Sequence, residues 1–514
     1  MTPPGTILLV REGGVVLHPP PSPDPNDPLN WSLLRKCYNF ALILATVLPI
    51  FGILQIQTIL WQLLGPELHA SPQQLNNSLS ILFVGLALGC VFIIPLTRKF
   101  GRRSTYVISV FALAAASFWT ARMKTVTELY LTNLIQGLAG ATNETSVMMT
   151  IGDIFFVHQR GRANAWYLST IIMGTYLIPI AGGVQATRQG WRAVYYGFGI
   201  AFSILWLLFV FTYEETKYIP TITGQASMDP VIRWTSNTTD DEEKKDAAIT
   251  TTTEPLERVH TQIDPSIPMN TWRQRLRWTT KTPESLWKLF YMPLLVLVKY
   301  PHVMYGALQF AAGIAWLTIT GTVLSIAFSK PPYNFNPASL GYMGIGALIG
   351  NVIGAIYAGW LGDIAIVWFA KRKGGWYEPE MRLYLLVFPV VVHAGGIILF
   401  GVSAHRGMHW IYPEIGLCLF GFGLGSISDA ALTMVIDTYP ALVGEAFVGI
   451  SFVRNALSIA IPFTLTSWMK GMNLQNMFIL VGFVSLATGS LFIVFVIFGK
   501  RIRIRTAHLY LKAQ

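Results

Sequence analysis

Stretches of about twenty apolar residues, each long enough to cross a bilayer core, recur along nearly the whole chain. Twelve are predicted, at 37–62, 76–97, 105–121, 128–156, 163–185, 194–213, 301–328, 338–361, 383–404, 411–437, 444–468 and 474–499. Inside lipid every backbone amide needs an internal partner, and a helix supplies one within itself. The expected fold class is therefore an all-α integral membrane protein with twelve transmembrane helices. Composition agrees, because 53% of the 514 residues are hydrophobic and only 12% are charged, about half the charge of a soluble domain.

The polar residues fall where such a protein places them. A Pro-rich tail (1–36) precedes the first six spans (37–213), a polar stretch (214–299) separates them from the second six (300–499), and a basic tail (500–514) follows. The tail carries no basic leader with a short apolar core, so no cleaved signal is expected. Within the polar stretch, the runs Asp240 to Asp246 and Thr250 to Thr253 read as a disordered linker. Trp272, Arg273, Arg275, Arg277 and Trp278, followed by the apolar Leu286 to Val298, read as an amphipathic segment on the membrane surface.

The net charge of +11 comes from clusters flanking the spans rather than from one basic face, so nucleic acid is not an expected partner. Sixteen Lys and Arg in the short loops and tails lie on the side of the termini and seven on the other, so both termini and the linker are expected in the cytosol. Cys37, Cys90 and Cys418 all fall within or beside apolar stretches and read as packing residues rather than as a disulfide or metal framework.

Spacing exposes a parallel repeat. Asp153 ends span four, Gly161 and Ala163 open span five, and Pro179 follows Gly161 by 18 residues. In the second half Asp437, Gly444, Ala446 and Pro462 stand in the same order, again with 18 residues from Gly to Pro. Glu144 lies nine residues before the first Asp and Asp429 eight before the second.

Several stretches resemble the major facilitator superfamily, and within it the fungal drug:proton antiporter branch. Pro19 to Ser32 looks like the N-terminal segment of fungal members. Pro95 to Arg103 is similar to the family's signature after span two, with Arg98 where an acid is usual. Asp153 to Gly161 and Glu214, Glu215 and Thr216 also look like this branch. Gly174, Pro179, Gly182 and Gly183 resemble the antiporter signature of span five, with Ile178 in place of its second glycine. Arg454 and Asn455 match the Arg-Asn that the branch tends to carry in span eleven. The resemblance implies two pseudo-symmetric six-helix bundles that rock about a central site.

Read for chemistry, the ionisable residues sunk in the spans matter most, since insertion of each costs about 2.5–3.5 kcal/mol. Glu144 and Asp429, at equivalent places in the two halves, are the expected proton-coupling pair; a static ion pair of either with Arg454 is the alternative. Arg454 and Asn455 are expected in the cavity, and His393 as a packing residue. Gln57, Asn133, Gln136, Tyr305, Gln309, Trp316 and Asn351 are expected to contact the cargo, as a few directional groups in an apolar pocket. Arg98, Lys99, Arg102 and Arg103 are expected to clamp Asp153 as an inner gate, with Asp363 and Arg372 or Lys373 as its counterpart. Gly174, Pro179, Gly182 and Gly183 suit a hinge in a rocking interface. Asn76 lies in a glycosylation sequon on the outer side.

No nucleophile elbow, HExxH helix, phosphate loop or zinc cluster stands in the sequence, so neither an enzyme nor a cofactor is expected. The expected function is proton-coupled export of a small amphipathic organic molecule, a drug or secondary metabolite, across the plasma membrane by a monomer in the lipid bilayer. The resemblance supplies the outward direction. Uptake of an organic cation or polyamine, and a sensor that binds without transport, are the alternatives.

Overall fold

The computed structural model describes residues 7–8, 24–155, 157–218, 267–280, 286–372, 376–439 and 442–513. The runs Asp240 to Asp246 and Thr250 to Thr253 lie outside them. Among the described residues twelve helical spans form two bundles of six. The first bundle holds Leu33–Glu67, Pro72–Phe100, Arg102–Arg122, Val126–Ile154, Val157–Gln189 and Trp191–Thr212. Spans seven, nine, ten and eleven are Pro301–Phe328, Val387–His405, Ile411–Thr438 and Val443–Gly471. Span eight is pieced from Pro337–Tyr342, Gly344–Ile356 and Gly362–Arg372, with a π-helical turn at Tyr357–Leu361. Span twelve runs through Leu474–Gly489 and on into Phe492–Ala513.

Eleven of the spans are long and apolar enough to cross a membrane by composition alone. Span four is the exception: its 29 residues reach about 43 Å, but Asn133, Gln136, Thr142, Asn143 and Glu144 dilute its apolar character. These five side chains are buried inside the protein, so the polarity faces other helices rather than lipid. Low hydropathy here marks an interior helix.

Local chemistry sets the helix starts. Ser71 and Gln74 form a reciprocal capping box at span two, and the Thr125 and Asn473 side chains cap spans four and twelve. Between spans two and three the chain turns through Gly101 at φ 113°, where a Cβ would lie 2.2 Å from the Glu215 carboxylate. That carboxylate accepts from the Arg102 and Arg103 backbone amides at 2.9 and 3.3 Å, satisfying the first orphan donors of span three.

Inside each bundle, glycines let backbones touch. Cβ atoms built on Gly85 and Gly137 would lie 2.5 and 2.2 Å from main-chain oxygens of the facing helix, joining spans two and four. Gly350 and Gly421 do the same for spans eight and ten, at 1.9 and 2.3 Å. The same joint thus recurs in both halves of the repeat.

The segment after the polar stretch is a separate helix, Leu286–Lys299, which ends before Pro301 opens span seven. Leu289, Pro293, Val296 and Leu297 are buried, whereas Trp287, Tyr291, Leu294 and Val298 form an exposed stripe at helical spacing. It packs where spans two and eleven meet: Phe290 makes an edge contact with Phe92, and a Cβ on Gly449 would lie 3.1 Å from the Pro293 oxygen. On the face that carries the termini, the backbone of Ile7–Leu8 pairs antiparallel with Trp376–Tyr377.

Candidate functional site

The bundles meet along a seam lined by a central chamber of about 1040 Å³, including the part open to solvent. Spans one, two, four and five line it from the first bundle, and spans seven, eight, ten and eleven from the second. Most of the wall is apolar, with Phe51, Phe83, Ile172, Phe310 and Leu424 among its members. Among its described lining residues the acids are Glu144 and Asp429, one from each bundle, and the cation is Arg454.

Glu144 and Arg454 form an ion pair across the seam, both side chains nearly inaccessible. Asn455 holds the arrangement: its amide donates to Glu144 Oε2 at 3.0 Å, and its oxygen accepts from Arg454 Nε and a terminal guanidinium nitrogen at 3.1 and 2.9 Å. The guanidinium also lies 5.2 Å from the ring centroid of Phe310 in span seven. Cys90 joins the cluster, with its sulfur 3.6 Å from Asn455 Nδ2 and 4.0 Å from Glu144 Oε2. Span four, the polar helix, thereby delivers its one deep carboxylate to the partner bundle.

Of the residues expected to contact cargo, Asn351 lines this chamber. Gln57, Asn133 and Gln136 instead tie the first bundle together: Asn133 donates to Gln57 Oε1 at 2.9 Å and to the Ser78 carbonyl at 3.0 Å, and Gln136 donates to Thr120 at 3.0 Å. Tyr305 packs on Phe495 with ring centroids 4.5 Å apart. Gln309 and Trp316 border a smaller cavity inside the second bundle, where Gln309 donates to the Thr488 carbonyl at 2.7 Å. His393 lines that same cavity, its Nδ1 2.9 Å from the Phe420 carbonyl and its ring stacked on Phe420.

The polar chamber residues that sequence missed are Gln55, Thr175, Tyr176 and Ser428. Gln55 and Gln57 are two positions apart, or about 200° around a helix, so only one of them can face the chamber. Cys90 packs in the core of the first bundle, as its apolar surroundings suggest, and its sulfur also touches the charged cluster.

The expected four-residue clamp resolves into separate contacts. Arg102 alone pairs with Asp153, at 2.9 Å, and both belong to the first bundle, so this pair braces adjacent helices and does not close a gate between bundles. Arg103 donates to the main-chain oxygens of Val210, Tyr213 and Leu276. Arg98 crosses the seam to Glu445, at the start of span eleven, at 2.5 Å. Lys99 offers its carbonyl to Lys217 Nζ at 2.9 Å.

In the second half Arg382 pairs with Asp437 at 2.8 Å, as Arg102 pairs with Asp153 in the first. Arg372 lies over the Trp368 ring, whereas Lys373 and the side chain of Asp363 lie outside the described residues. The repeat already matched Asp437 to Asp153, and the basic residue entering span nine was the overlooked signal.

On the face away from the termini, side chains stitch the bundles together. Gln62 donates to the Phe335 carbonyl at 2.6 Å, Ser80 to that of Ile459 at 3.0 Å, Gln73 to that of Phe463 at 3.3 Å, and Ser325 to that of Thr58. Pro462 interrupts the span-eleven ladder between two of these acceptors. A Cβ on Gly183 would lie 2.5 Å from the Pro337 oxygen, and one on Gly341 would lie 3.2 Å from the Pro179 oxygen, so spans five and eight touch across the seam. Gly174 and Gly182 serve a different contact, since a Cβ there would strike Leu48 and Ile56 of span one.

Asn76 is 0% exposed and donates to Thr466 Oγ1 at 2.5 Å across the seam. This leaves no room for a glycan in this arrangement, which corrects the sequon reading.

Comparison with known proteins places this geometry. A TM-score of 0.61 at 15% identity relates the chain to a crystal structure of a mutant of the peptide transporter POT in complex with sulfate, covering 90% of this chain and 95% of that one. At that identity the likeness is one of fold. The chain is 29% identical to the uncharacterized MFS-type transporter C1271.10c of Schizosaccharomyces pombe, over 99% of this chain and 94% of the relative. It is 26% identical to the multidrug transporter TPO1_1 of Candida glabrata, over 93% and 78%. Residues 41–462 match the profile of the Major Facilitator Superfamily, and with twelve spans, two repeated bundles and a chamber at their seam, the chain belongs to that family of membrane transporters.

Proposed function

We propose that this transporter exports a small amphipathic organic compound in exchange for protons, working as a monomer in the plasma membrane with both termini cytosolic. One observation carries the reading: the sole described cation of the central chamber is held by an acid of the opposite bundle, with a second acid lining the same space. Protonating Glu144 removes the charge that holds Arg454, and Asp429 then offers the guanidinium an alternative site. Cargo and proton compete for the same two carboxylates, so binding one favours release of the other. Exchange of one monovalent cation for one proton moves no net charge, so the pH difference drives it: each pH unit is worth about 1.4 kcal/mol, which sustains a gradient of roughly ten-fold per proton.

Arg98 with Glu445 on the termini side, and the seam hydrogen bonds on the far side, serve as the two gates. Pro179 and Pro462, at repeat positions in spans five and eleven, are the hinges. The test is flux of a lipophilic cationic dye in proteoliposomes under an imposed pH gradient. Wild type moves dye against proton flow; Glu144→Gln and Asp429→Asn bind dye but lose the pH dependence. Dye flux indifferent to the pH gradient in wild type would refute proton coupling. A comparison of medium and cells with and without the gene then identifies the natural cargo.

A further inference from the structure

Two stretches of chain between the bundles turn an apolar and basic face outward. The first, residues 271–280, is pinned where span two ends and span three begins. The Thr280 amide donates to the Phe100 carbonyl at 2.7 Å, Arg103 donates to the Leu276 carbonyl at 2.9 Å, and the Lys217 ammonium donates to the Thr280 carbonyl at 2.7 Å. A span end is where a helix leaves the hydrocarbon for the headgroup layer. Trp272, Arg273, Arg277 and Trp278 are all exposed at that level. The second stretch is Leu286–Lys299, which lies against spans two and eleven. Its uncovered stripe, Trp287, Tyr291, Leu294 and Val298, adjoins the exposed row of Leu88, Phe92 and Leu96 on span two, with Phe290 meeting Phe92 at the joint. Lys288 is exposed in its first turn. Among the described residues no carboxylate pairs with Arg273, Arg277 or Lys288.

From this juxtaposition we infer that residues 271–280 and the helix Leu286–Lys299 together form a docking surface for anionic phospholipid of the leaflet on the termini side. The stripe is continuous with the lipid-facing row of span two, so the bilayer is what covers it. Tryptophans beside cations at a span end suit the headgroup layer, where an indole has one face in hydrocarbon and its N–H among polar groups. The three uncompensated cations then select lipids with net negative charge over zwitterionic ones, each by up to about five-fold. The contact lies over the seam that Arg98 and Glu445 cross: Pro95, Val448 and Gly449, each about one turn deeper than that pair, line the gap beneath the helix.

The test measures equilibrium binding of dioctanoyl phosphatidylserine and dioctanoyl phosphatidylcholine to the purified full-length transporter in a neutral detergent. Wild type should bind the serine lipid more tightly, and added salt should erase the difference. Arg273→Gln, Arg277→Gln and Lys288→Gln should each lower the preference by up to about five-fold and leave the choline lipid unchanged, while Trp287→Ser should weaken both lipids alike. Equal binding of the two lipids by wild type, a preference that survives all three substitutions, or a Trp287→Ser protein that binds both as wild type does overturns the inference. A second measurement stands apart from those variants. A bimane label at Trp287→Cys, in protein that also carries Cys37→Ser and Cys418→Ser and is reconstituted in vesicles, should be quenched by doxyl-labelled lipid and shielded from aqueous iodide. Quenching by iodide and not by the lipid overturns the inference as well. Neither measurement touches cargo or proton movement, so proton-coupled export stands or falls on its own test.

Discussion

Replacing Glu144 by Gln while Arg454 stays in place strands a guanidinium that cannot shed its charge. The structure fixes the scale. Both side chains are at most 8% exposed, and breaking a buried pair by removing one partner costs about 3–5 kcal/mol. Asp429 lines the same chamber, and on the proposed mechanism it takes over the guanidinium, so Glu144→Gln alone should fall near about 3 kcal/mol, the lower end of that range. Glu144→Gln combined with Asp429→Asn should reach the upper end. Arg454→Gln is milder, because a stranded carboxyl can neutralise itself by taking up a proton, whereas arginine stays charged. Glu144→Gln with Arg454→Gln replaces two opposed charges by two amides beside Asn455 and should recover most of the loss. The assay is thermal unfolding of wild type, the two single variants and the double variant in one detergent, read as a double-mutant cycle. Strict additivity of the two single substitutions would mean that these side chains do not meet, and the lock across the seam would have to be given up.

Arg102→Gln and Arg382→Gln each break one partly buried ion pair, in separate bundles; each should lose about 1.5–3 kcal/mol, and the two losses should add. A coupled effect would contradict the assignment to separate bundles. Gly350→Val places its side chain against the Cys418 backbone and should abolish monodisperse expression, as Gly137→Val should in the first half; Gly359→Ala, with open space around its Cβ, should be neutral on the same size-exclusion trace. Endoglycosidase treatment of protein from a glycosylating host should leave its mobility unchanged, since the Asn76 side chain is buried at the seam; a shift lost on Asn76→Gln would refute that placement.

The architecture was legible because lipid imposes one rule on every span: about twenty apolar residues and a self-satisfied backbone. The repeat was legible because Asp153, Gly161 and Pro179 return as Asp437, Gly444 and Pro462. Which polar side chains face the chamber was not, because hydropathy carries no azimuth. Gln57 and Asn133 are as polar as Gln55 and Asn351, yet the first two satisfy each other within a bundle while the second two face the chamber. Partner choice was equally hidden. Four basic residues near one acid suggested a single clamp, but helix rotation sends Arg98 to Glu445, Arg102 to Asp153 and Arg103 to backbone carbonyls.

Every acceptor in four of the far-side stitches is a main-chain oxygen: Phe335, Ile459, Phe463 and Thr58 lend their carbonyls rather than their side chains. A carbonyl persists through nearly any substitution at its own position, so the latch tolerates drift on the accepting helix. If this face opens as the proposed gating requires, each bond is exchanged for a bond to water at a net difference of only about 1 kcal/mol. Closure on that face is thereby insulated from changes in the chamber walls, and a lineage can retune what is carried without relearning how to shut.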